Sequence, residues 1–124
     1  MPYDITLYAN WVAIQYSGVV DAADVIASVK TDEFMNGLES LHKVIFDYSN
    51  ASEVNFSHEN IAEFAVLGRI LGSINDNVHA VCIPSLSNKR TDRARLYQEQ
   101  ASTDSWHVHI VESREEAEAL MRKL

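Results

Sequence analysis

Apolar and polar residues alternate at the start of the chain. "YDITLY" sets Tyr3, Ile5 and Leu7 on one side and "WVAIQYSG" sets Val12, Ile14 and Tyr16 on one side, the period of two that marks β-strands. Ala9 and Asn10 stand between the two runs, and Asn tolerates the positive φ that a tight hairpin turn needs. From Asp21 the period lengthens. Ala22, Val25, Ile26 and Val29 form a helical stripe with Asp21 placed to accept the first free amides, and a further helical turn starts at Thr31. "KVIFD" and "NVHAVCIP" are short, apolar and rich in β-branched residues, which predicts central strands. Between them Ile61, Phe64, Leu67, Leu71 and Ile74 recur at helical spacing and predict the main core helix over Glu59 to Ile74. "SLSNKRTDRARLYQEQ" contains another helix carrying Leu96 and Tyr97, "WHVHIV" is a last strand, and Ser113 with Glu116 three residues on forms a capping box for a final helix. The order β, β, α, β, α, β, α, β, α predicts an α/β fold. A hairpin leads into parallel βαβ units in a mixed sheet of about five strands and four helices.

Composition narrows what such a fold can do. The chain has 124 residues and 47% hydrophobic content, enough for one domain over 1–124 with a proper core. A formal charge of −8 disfavours a general nucleic-acid-binding role, because a polyphosphate needs a concentrated cationic surface. The single cysteine, Cys82, lies in a strand-like run and can form no internal disulfide, which fits a reducing compartment. No apolar run approaches the roughly 20 residues that span a bilayer, and the first residues lack a basic region followed by an apolar one. The expectation is a soluble, cytoplasmic protein with no transmembrane segment.

With its opening hairpin ending in "YSGVVDAADV", then "KVIFDYSNAS" leading into a helix, then "HAVCIP" and "WHVHIVESREEAEALM", the chain resembles the SpoIIAA-like group of STAS-type domains, relatives of bacterial anti-sigma-factor antagonists. The resemblance covers nearly the whole length. It implies a mixed sheet packed by helices and a role in protein regulation or ligand sensing without catalysis. Some members of the wider group also resemble the CRAL-TRIO lipid-binding domain, which adds a lipid-like ligand to the possibilities. In the anti-sigma-factor antagonists an Asp-Ser-Ser-Gly motif before the second long helix carries a phosphorylatable serine. Here "NFSH" stands in its place, with Ser57 nearest that serine, Asn55 in the acidic position and His58 where glycine would be.

Four groups of residues carry candidate chemistry. Ser57 suits a helix cap, worth about 1 kcal/mol, and as the phosphorylation candidate it would set an anion against free amides. Around it Asp47, Asn50, Asn55 and His58 form the expected partner surface, with the turn Asn50 to His58 and the following helix as its edge. Lys89, Arg90, Arg93 and Arg95, four of the ten basic residues, are the candidate site for an anion, a lipid head group or an acidic partner. On their strand His107 and His109 share a side, and His79 on a neighbouring parallel strand joins them if the register allows, so that three imidazoles could converge on a metal, although alternating histidines without a CxxC or HExxH pattern are a weak signal. Gly68 and Gly72, one helical turn apart, allow close approach to the sheet or to a second copy.

No phosphate-cradling glycine loop, nucleophile elbow or activated cysteine accompanies these groups. The reading therefore assigns no catalytic residue, no cofactor and no metal. It expects a regulatory or ligand-sensing module that binds a protein partner or a small molecule, or else a carrier of a lipid-like or anionic ligand gated by Lys89 to Arg95. Peripheral membrane contact and a homodimer are compatible with either.

Overall fold

The computed structural model describes residues 2–85 and 91–124. Strands β1 (Tyr3–Leu7) and β2 (Val12–Asp21) form an antiparallel hairpin with Tyr3 opposite Tyr16 and Leu7 opposite Val12. The Tyr8 N–H donates to the Trp11 carbonyl at 2.9 Å, and the two rings lie 5.6 Å apart. This corner closes without a positive φ at Asn10, contrary to the expected hairpin geometry; among the described residues the non-glycine residues with positive φ are His42, Asp76 and Asn77.

After the hairpin come α1 (Ala22–Val29), α2 (Asp32–Leu41), β3 (Lys43–Asn55), α3 (His58–Asn75), β4 (Val78–Ile83), α4 (Thr91–Ala101), β5 (Trp106–Ile110) and α5 (Arg114–Lys123). The sheet order is β1-β2-β3-β4-β5, with β2 through β5 mutually parallel. Because the parallel strands advance in one direction and parallel crossovers share one hand, their connecting helices fall on the same face. α5 connects no strands and covers the other. Alternation along each strand serves the two cores. Val44, Phe46, Ala80, Trp106 and Val108 face the main core, whereas Ala13, Ile45, Val81 and Ile83 meet Ala117 and Met121 of α5.

The structure has five helices rather than four. Thr31 makes the division: its backbone is extended (φ −70°, ψ 150°), its hydroxyl donates to the Ser28 carbonyl at 2.9 Å, and its Oγ1 accepts the Phe34 N–H at 3.3 Å. One side chain thus closes α1 and caps α2. A second difference lies in β3, which continues through the polar stretch expected to be a turn. Its outer half pairs with Ser17 to Asp21 of β2, and register shifts at Gln15/Ser17 and Gly18/Val19 accommodate it. Gly18 takes φ +68°, a conformation that a side chain would strain.

α3 also sits differently from its apolar stripe. Ile61, Phe64 and Leu71 are buried as expected, and Leu67 packs partly against the core, but Ile74 is 68% exposed. Gly68 and Gly72 are buried in its stead, so the contact face is set by small residues beside Trp106. α5 begins as expected, with Ser113 Oγ accepting the Glu116 N–H at 3.1 Å, yet the Glu116 carboxylate turns to the Glu112 N–H at 3.4 Å and leaves the reciprocal half of the box unmade. At its other end Lys43 Nζ donates to the carbonyls of Met121 and Leu124, placing a cation at the negative end of the helix. Among the described residues no helix is long and apolar enough to cross a membrane.

Candidate functional site

Where α3 and α4 lean over β3 and β4, the main core is not filled. Phe46 and Tyr48 of β3 and Cys82 of β4 form the floor of a cavity of about 120 Å³, α3 supplies Phe64 and Leu67, and α4 supplies Arg93, Ala94 and Tyr97. Aromatic contacts stiffen one wall: Tyr16 stacks on Tyr48 at 4.4 Å, Tyr48 meets Phe56 edge-on at 5.9 Å, and Phe56 meets Phe64 at 5.0 Å. α4 is fixed as the opposite wall by polar contacts. Trp106 Nε1–H donates to Tyr97 Oη at 3.1 Å, Gln98 to the Val108 carbonyl at 2.9 Å, and Arg69 of α3 to the Gln100 carbonyl at 2.6 Å.

Apart from Arg93, the titratable side chains of the described lining are neutral at neutral pH. Burial pushes the Cys82 thiol up to about 12 and raises the phenols of Tyr16, Tyr48 and Tyr97 well above their ordinary range. Burial thus favours the protonated thiol of Cys82. The Tyr16 hydroxyl is paired with Ser28 Oγ at 2.7 Å, and Ser28 in turn donates to the Val25 carbonyl. Such a surface can hold an apolar body.

The sequence-derived candidates are dispersed by the fold. Ser57 is the N-cap of α3: its Oγ accepts the Asn60 N–H at 3.1 Å, and Asn60 Oδ1 accepts the Ser57 N–H at 2.9 Å. Asn55 donates to Asp21 Oδ1 at 3.0 Å, linking the end of β3 to the start of α1, and His58 is the exposed first residue of α3. Asn50 is exposed farther back along β3. Asp47 does not belong to that surface. It is 1% exposed and turned to the α5 face, where it accepts from the Ser49 N–H and hydroxyl and from Arg114 at 3.3 Å. Desolvation works against the Arg114 guanidinium, but hydrogen bonds to Glu118 and Asp47 outweigh it and raise its pKa.

Of the basic group, Arg93 lines the cavity and Arg95 is exposed; Lys89 and Arg90 lie outside the described residues. The three histidines do meet, on the face opposite the cavity. His79 stacks on His107 at 4.6 Å and on His109 at 5.3 Å, its Nδ1 is 3.1 Å from His109 Nε2, and His107 Nε2 is 3.1 Å from Asn77 Oδ1. Burial, then the neighbouring imidazoles and Lys43, lower the pKa of His79; burial and then His107 lower that of His109. Among the described residues no group of three or more His, Cys, Asp or Glu is arranged to hold a metal ion.

Sequence reading passed over Tyr48, Phe56, Ala94 and Trp106 as a lining set. One signal was available: Phe46 and Tyr48 are two apart on one strand and face the same helix, so a polar-looking "DYSN" still delivers an aromatic ring to the core side. Comparison with protein-family models, with curated proteins and with solved structures returned no match.

Proposed function

We propose that this chain is a non-catalytic ligand-sensing module of the SpoIIAA-like, STAS-type kind that takes a small apolar molecule into the cavity between α3, α4 and the sheet. The cavity itself carries this reading: an apolar space with rigid aromatic walls, beside a helix anchored through a few polar contacts, suits reversible occupancy by a guest. The hairpin leading into parallel units, and a serine-capped helix after the third strand, support the kinship. Sensing follows from position. α4 makes one wall and also holds β5, so an occupant that packs against Ala94 and Tyr97 shifts the stability of the sheet edge with it.

Calorimetry with toluene as the probe tests this. Saturable binding of toluene is expected, and Ala94→Phe, which places a ring in the space, abolishes it while the variant keeps the circular dichroism of the parent. A parent protein that fails to bind toluene sinks the proposal.

A further inference from the structure

The shape and charge of the cavity define its guest more narrowly. We infer that the ligand is a small carboxylate with a ring-sized apolar body, its carboxylate paired with the Arg93 guanidinium. The inference rests on the cavity being a ligand site. Size comes first. An engineered cavity of about 150 Å³ lined by aliphatic and aromatic residues takes up one benzene, so about 120 Å³ accommodates a single ring or a short branched chain. A long acyl chain exceeds it several-fold, and most of such a ligand would lie outside.

Charge then decides the polar end. Among the described residues Arg93 is the one charged side chain in the lining, it is half-buried, and it has no hydrogen-bond or ion-pair partner. A guanidinium held against apolar surface without a counter-ion is costly. Its planar fork matches a carboxylate through two parallel N–H···O bonds. One guanidinium matches one carboxylate, whereas a phosphate dianion calls for further cations or amides. The neighbouring polar groups do not compete for the role: Ser85 Oγ donates to the Ala51 carbonyl, the Tyr97 hydroxyl already accepts from Trp106, and the Cys82 thiol remains protonated.

Three probes that share one ring separate the possibilities by calorimetry: phenylacetate, toluene and phenyl phosphate, each with the parent, Arg93→Gln and Arg93→Met. Phenylacetate is expected to bind the parent, and either variant to weaken it by about tenfold or more, while toluene binds parent and variants alike and so also reports that they are folded. Unchanged phenylacetate affinity in both variants overturns the inference, as does tighter binding of phenyl phosphate than of phenylacetate to the parent. Toluene binding without phenylacetate binding overturns it too, and leaves the cavity as a purely apolar site. If toluene does not bind the parent, the ligand-holding reading fails first and this one, which rests on it, falls with it.

Discussion

His79 shows how a single side chain acquires an energetic role from its surroundings. It is partly buried between two other imidazoles and beside Lys43, so protonating it takes a cation out of water and sets it near further positive charge. The folded-state pKa values of His79 and His109 lie below their ordinary value of 6.5. The unfolded chain therefore binds more protons in the window between, and stability rises with pH there. These groups contribute fully above about pH 6.5, and their contribution is lost as pH falls through the folded-state values. Urea unfolding at pH 7.5 and at pH 5 is expected to show lower stability in acid, with a smaller drop in His79→Gln. An equal drop in that variant would show that the stacked imidazoles carry none of the effect. The alternation of "HVH" made the shared face legible. What the imidazoles do there was not, because stacking rather than convergence depends on the register of β4 against β5.

Among the elements, α3 illustrates why periodicity alone misplaces a buried face. The apolar stripe includes Ile74, but the glycines let the helix settle on Trp106, and that approach turns Ile74 outward. A Cβ at position 72 would come within 2.8 Å of Trp106 Cβ and 3.0 Å of the Ser105 carbonyl oxygen, both held by β5 and its lead-in. Gly72→Ala is expected to cost about 1–2 kcal/mol, since overpacking costs about 1–3 kcal/mol and the better helix propensity of alanine returns up to about 1 kcal/mol. The exposed neighbour Ser73→Ala serves as control and changes little. Equal stability of the two variants in urea would show that α3 does not rest on β5 as described. The same scale explains the other departures from expectation. Thr31 looked like the opening of a second turn and is the boundary of a whole helix. Polar residues after Asp47 looked like a loop because one face of an edge-extended strand meets water. By contrast Ser57 was readable as a cap, since the signal and the hydrogen bonds both lie within four residues.

At the level of the whole molecule, the order of strands and helices already specified a mixed sheet with parallel crossovers. The structure adds that all crossover helices share a face, leaving α5 to close the other through Asp47 and Arg114. The cavity was beyond reach of the sequence for a geometric reason. Its lining comes from α1, β3, α3, β4, α4 and β5, elements far apart in sequence that only the fold brings together. Arg93 looked like one of four equivalent cations; the fold gives it an apolar setting and sends Arg95 to solvent. The claim proposed at this scale is that the space holds an occupant. Native mass spectrometry of the protein taken directly from its cells addresses that claim without choosing a probe in advance. The account predicts a mass excess of one small organic molecule that disappears on denaturation and is missing from Ala94→Phe. The bare polypeptide mass in every preparation, or an excess that survives in Ala94→Phe, would contradict it.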